Sequence, residues 1–177
     1  MIVLAFVETR MYTTRAGISS ASLHIAVVAR PFDLLAVAET VAASTRSHND
    51  FPTAMGYALG YGAGMLERAP NCLHKTLDMA GDGQNNEGFP PSSAYKAFPF
   101  DGVTVNGLVV NAADFEAETQ LIPFYLNEVI RGPGAFIEVA QGFEDYERAM
   151  RRKLERELSL RFIGTLAPAK PEQKDAG

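Results

Sequence analysis

The chain has 177 residues, 47% of them hydrophobic and 21% charged, a balance that fits one globular domain with a single core. Its 16 Lys and Arg against 21 Asp and Glu leave a net charge of -5, which argues against nonspecific binding to nucleic acid or anionic lipid, since both draw on positive charge. A single cysteine, Cys72, excludes an intramolecular disulfide framework, a cysteine-rich zinc site and a Cys-x-x-Cys redox pair. Met1 opens directly into an apolar run with no basic leader before it and no cleavage-like site after it, so residues 2–9 read as a strand and not as a signal peptide. Residues 23–30 form a second β-rich run. The polar link between the two, with Gly17 and Ser19-Ser20, favours an antiparallel ribbon over a crossover.

From Asp33, a candidate N-cap, the positions Leu34, Leu35, Val37, Ala38, Val41 and Ala42 recur at helical spacing and predict a helix to about Ser44, followed by a polar loop over 45–50. A second helix is expected from near Thr53, after Pro52, to about Arg68, with Ala54, Leu59, Ala63 and Leu66 toward the core. Gly56, Gly60 and Gly64 fall on one stripe of it and predict close approach to another backbone. The weakly polar stretch 51–66 is too short for a comfortable membrane span, so no membrane insertion is expected. Strands follow at 74–80, 103–110 and 135–140, a short helix at 92–98, a helix at 116–130, a turn at Arg131-Gly-Pro-Gly134, and a long closing helix at 143–162. This alternation predicts an α/β fold: a mainly parallel, Rossmann-like sheet with helices on both faces and an antiparallel hairpin at one edge. Residues 164–177 have almost no large apolar side chains, which predicts a disordered tail behind a domain over 1–163.

The most informative segment runs from Asp78 to Gly88, where an apolar strand enters an acidic, glycine-broken, amide-rich loop. Ligands of open α/β sheets bind at the carboxyl ends of strands, and Asp82, Gln84, Asn85, Asn86 and Glu87 offer oxygens suited to a hard cation or a polar partner. The plainer reading is a tight turn in which Gly81 and Gly83 take the sharp bends and the asparagines satisfy local backbone. The loop is no helix-loop-helix calcium site, because Glu87 and Ser93 stand where that loop requires glycine and a bidentate glutamate. His24, His48 and His74 are scattered, and Gly17-Ile-Ser-Ser-Ala lacks the second glycine of a nucleophile elbow. Arg148, Arg151, Arg152, Lys153 and Arg156 interleave with five acidic residues, as expected of a solvated helix face whose other side, Phe143, Tyr146, Met150, Leu154 and Leu158, packs down.

Several segments, taken in order, resemble a bacterial family of von Willebrand factor A-like domains of unknown function: Ala5-Phe-Val-Glu8, Pro52-Thr-Ala-Met-Gly-Tyr-Ala-Leu59, Asp78-Met-Ala-Gly-Asp-Gly-Gln-Asn-Asn-Glu-Gly88, Val103-Thr-Val-Asn-Gly-Leu108, Gly132-Pro-Gly-Ala-Phe136 and Ala149-Met-Arg-Arg-Lys-Leu154. A domains hold a divalent ion with an Asp-x-Ser-x-Ser motif after the first strand, then a threonine, then an aspartate. The resemblance places the last two on Thr53 and Asp82. No Asp-x-Ser-x-Ser occurs in this sequence, and residue 2 falls at what resembles the family's second strand, so the domain reads as incomplete at its N-terminus. The metal site is therefore expected to be degenerate, with no cofactor beyond weakly held Mg²⁺. Without the family's first strand, residues 2–9 and 74–80 are expected to pair directly and in parallel. An upstream leader, if present, would place the protein in the periplasm or outside the cell.

These features favour a noncatalytic protein-protein interaction module, with Thr53, Asp50, Gln84, Asn85, Asn86 and the loop around 111–114 facing a protein partner. The rival is a small metal-dependent hydrolase using Asp82 with Asp50 or Asp78.

Overall fold

A computed structural model describes the backbone of residues 2–8, 11–14, 17–20 and 23–28, and the segments 52–111 and 120–163, with side chains in the latter two as far as residue 158. The helix expected from Asp33, the loop over 45–50 with Asp50, residues 112–119 and the tail over 164–177 lie outside the described residues.

Strand β1 (Ile2–Glu8) pairs antiparallel with β4 (Leu23–Val28), and between them β2 (Met11–Thr14) and β3 (Gly17–Ser20) form a separate two-stranded ribbon. Helix α1 (Met55–Arg68) leads to β5 (His74–Gly81), α2 (Pro91–Ala97) to β6 (Val103–Val110). A single turn, α3 (Leu121–Phe124), runs on as a π-helix over Tyr125–Val129, and β7 (Ile137–Ala140) precedes α4 (Tyr146–Ile163). The sheet order is β4-β1-β5-β6-β7, with parallel pairing from β1 to β7 and the antiparallel strand at one edge. The protein is thus a mixed α/β fold. β1 and β5 are direct neighbours, with Ile2 opposite His74 and Glu8 opposite Ala80, as expected from the sequence.

Strand alternation divides the core. Leu77 and Met79 on β5 and Val105 and Val109 on β6 join Leu59, Ala63 and Leu66 of α1 and Tyr125 of the π-helix in one cluster. The alternate positions, Ala80, Leu108, Val110 and Ala140, meet Tyr146, Ala149 and Met150 of α4. Both faces of β5 and β6 are covered, which is why these strands read as near-continuous apolar runs. Chain punctuation matches the elements: α1 stops at an extended Ala69 just before Pro70, and α2 begins at Pro90-Pro91.

Two expectations change. The solvated basic face of the last helix excludes Lys153, which is fully buried together with Glu157, whereas Phe143 is 55% exposed and Leu154 and Leu158 are only partly covered. Lys153 and Glu157 are tolerated inside because they are ion-paired there. The glycine stripe approaches backbone only at Gly56, where an added Cβ would meet the Phe89 main chain and ring. At Gly60 it would lie 2.5 Å from the Phe98 ring, and Gly64 has no neighbour nearer than 3.7 Å. Gly62, off that stripe, faces the sheet, and an added Cβ there would sit 2.5 Å from the Leu77 side chain.

Candidate functional site at the carboxyl edge of the sheet

Strand β5 delivers residues 82–88 to the start of α1, and a set of reciprocal hydrogen bonds fixes the two together. The Thr53 N–H donates to Asn86 Oδ1 at 2.7 Å, while the N–H groups of Asn86 and Glu87 donate to the Thr53 carbonyl at 2.9 and 3.1 Å. Ala54, the residue before α1, offers no side-chain cap. Asn85 supplies one from the loop, accepting from the Gly56 N–H at 3.3 Å, one of the donors that a helix start leaves unsatisfied. Behind this, Phe89 packs edge-on against Tyr57 with centroids 4.6 Å apart. Gly88, at a φ of 67°, leaves no room for a side chain against the Tyr57 ring. The amide oxygens of Asn85 and Asn86 are therefore engaged by the start of α1, while Gln84, Asn86, Glu87 and Gly88 form the exposed part of the loop.

Thr53 and Asp82 come together as neighbours of Gly83, for a Cβ on Gly83 would lie 2.9 Å from the Thr53 hydroxyl oxygen. Asp82 is half-buried and close enough to Tyr125 that its charge adds to the burial that pushes the Tyr125 hydroxyl above its ordinary pKa, Tyr146 adding further. Tyr125 is fully buried and its hydroxyl has no hydrogen-bond partner. At the end of β6 the side-chain oxygen of Asn111 is likewise buried and unpartnered, while its backbone is held by Ala140 and Gly142. Tyr125 is the site neighbour that sequence reasoning passed over, because an aromatic residue in a helical stretch reads as core. The signal it gives in the structure is its place at the start of a π-helix, a form frequent at functional sites.

Asp78, four residues before Asp82, does not reach this edge. Its side chain lies on the other face of the sheet, beneath α4, in contact with Lys153. Among the described residues no three His, Cys, Asp or Glu side chains gather closely enough to hold a metal ion. Mg²⁺ demands near-octahedral oxygens, and the described donors set together at Gly83 are the Asp82 carboxylate and the Thr53 hydroxyl, fewer than that coordination takes. Two clefts of about 400 and 450 Å³ adjoin at Tyr95 and Arg131 near the start of β6, and neither is lined by Thr53 or by residues 82–88. No described helix is long and apolar enough to cross a membrane.

Fold and edge together define a mixed α/β protein whose polar loop at the end of a central strand is clasped to the start of a glycine-rich helix. Residues 14–162 match the model of a family described as "Protein of unknown function (DUF1194)", and the chain belongs to that family. No curated protein and no solved structure matched it.

Proposed function

We propose that the chain is a noncatalytic interaction module of the von Willebrand factor A-like type, which presents Thr53, Asp82 and the outward part of residues 82–88 to a protein partner. The observation that carries this reading is the clasp itself. Reciprocal hydrogen bonds hold the 82–88 loop against the helix opened by Thr53, as a binding surface requires, and they leave Asp82 beside the Thr53 hydroxyl with Gln84 and Glu87 exposed on the rim. The strand order, with Thr53 before one helix and Asp82-Gly83 after the next strand, supports the A-type reading. A divalent ion would at most supplement the contact.

A photo-crosslinking residue placed at Gln84, and separately at exposed Glu155 on α4, tests this in cells that express the protein. The reading expects a discrete adduct from position 84 that Asp82→Ala abolishes, and none from position 155. Equal labelling at both positions, or turnover of a phosphoester or carboxylic ester that Asp82→Ala eliminates, would overturn it.

A further inference from the structure

Beneath α4 lies a cluster that the proposed surface does not use. Asp78, Asn106, Lys153 and Glu157 are each at most 2% exposed. The Lys153 ammonium donates to Asp78 and, at 2.7 Å, to Glu157 Oε1; Asn106 donates to that same oxygen at 2.5 Å and accepts from the Phe136 N–H at 3.1 Å. One oxygen of each carboxyl group, Asp78 Oδ2 and Glu157 Oε2, is buried with no hydrogen-bond partner. Two carboxylates against one ammonium leave a net negative charge inside the protein, which is expensive. A single proton on Asp78 cancels that charge and gives its orphan Oδ2 a hydrogen to donate.

The surroundings supply no other counterion among the described side chains. By register, the sheet row through Asp78 and Asn106 continues to Phe6 on β1 and His24 on β4, and Glu8 stands one row further along, opposite Ala80. Among the described side chains of α4, Lys153 and Glu157 enter the cluster, and Arg161 follows one turn beyond Glu157 in the sequence, outside the described side chains. Arg156 lies over the Phe136 ring at 3.9 Å, and Arg152 pairs with Glu138 and Asp145 nearer the end of the sheet.

We propose that Asp78 holds a proton beside the Lys153–Glu157 ion pair, so that the cluster is a pH-sensitive latch fastening the last helix to the sheet. Burial holds Asp78 well above the ordinary carboxylate range, with Lys153 pulling it down and Glu157 pushing it up. A carboxyl group raised in the folded state stabilises fully below its unfolded value, and that contribution is lost as pH rises through the raised folded value. Lifting α4 exposes Asp78, which then gives up its proton, so opening becomes more favourable as pH rises across this window.

Hydrogen exchange of the α4 amides, followed from about pH 5 to pH 9, reads this directly. In the wild type, opening should grow by up to about ten-fold per pH unit beyond intrinsic base catalysis, the value for one released proton. Asp78→Asn, which imitates the protonated group, and Glu157→Gln, which removes the neighbouring negative charge and leaves Asp78 to pair with Lys153 as a carboxylate, should each remove that dependence, and each should remove a protonated-carboxyl band from the infrared spectrum at neutral pH. His24→Gln should leave both signals in place. Overturning results are a wild-type dependence equal to that of both amide variants, the absence of the infrared band, loss of the dependence in His24→Gln, or failure of both amide variants to fold.

Discussion

Lys153 is the side chain whose loss should be felt most. Without its ammonium, Asp78 and Glu157 remain buried with no cation, and breaking such a group from one side typically costs about 3–5 kcal/mol. Lys153→Met, similar in length and apolar, is therefore expected to lower unfolding free energy in urea by that order, whereas Asp78→Asn costs much less because it matches the protonated group in shape and charge. If Lys153→Met is the milder of the two, the ammonium is not what holds the cluster. The sequence concealed this residue for a physical reason. Tyr146, Ala149, Met150, Lys153 and Glu157 recur at steps of three and four, one side of a helix, and Lys153 and Glu157 sit near the centre of that stripe. Apolar character alone assigned the stripe to Leu154 and Leu158, which the structure leaves at its flank. Charged side chains inside a fold are legible only when the partner, here Asp78 on a strand 75 positions away, is known.

Elements were easier to read than pairs of residues. The strand over 103–110 coincides with β6 and the strand over 74–80 falls one residue short of β5, because parallel strands covered on both faces carry long β-branched and apolar runs. The ribbon of β2 and β3 passed for a polar link, since a two-stranded element leaves little pattern in four-residue strands. The helix predicted over 116–130 is described only from Leu121, and its second half is a π-helix in which the Ile130 N–H reaches the Tyr125 carbonyl at 3.0 Å, a shift that propensity does not encode. Helix α1 packs through glycine, and this sets its tolerance. At Gly60 the space for a side chain is filled by the Phe98 ring, so Gly60→Leu is expected to cost roughly 1–3 kcal/mol or more through overpacking. Met65→Leu, half-buried and nearly constant in volume, should fall below about 1.5 kcal/mol. Equal melting temperatures for the two variants would show that Phe98 yields freely.

At the scale of the whole molecule, the sheet is continuous from β4 to β7 because β1 and β5 satisfy one another's backbone groups along seven register pairs, Ile2 with His74 through Glu8 with Ala80. That continuity brings the end of β5 and its loop to the carboxyl edge beside α1, where Thr53 and Asp82 flank Gly83. The sequence pointed to both residues; it could not show that Asn85 and Asn86 would be spent on holding the loop closed. Cation binding is the property of the whole fold that tests how much of a site remains. A ligand that binds only the folded state stabilises it by RT ln(1 + [L]/Kd). With the Asp82 carboxylate and the Thr53 hydroxyl as the described donors set together, Kd is expected at or above millimolar concentration, so millimolar Mg²⁺, Mn²⁺ or Ca²⁺ contributes about 0.4 kcal/mol or less. For a chain of this length that moves the melting temperature by roughly 1–2 °C. Thermal unfolding with and without each ion, in the wild type and in Asp82→Ala, measures it. A shift of many degrees that Asp82→Ala abolishes would mean that the edge holds a cation tightly, and that residues outside the described segments complete its coordination.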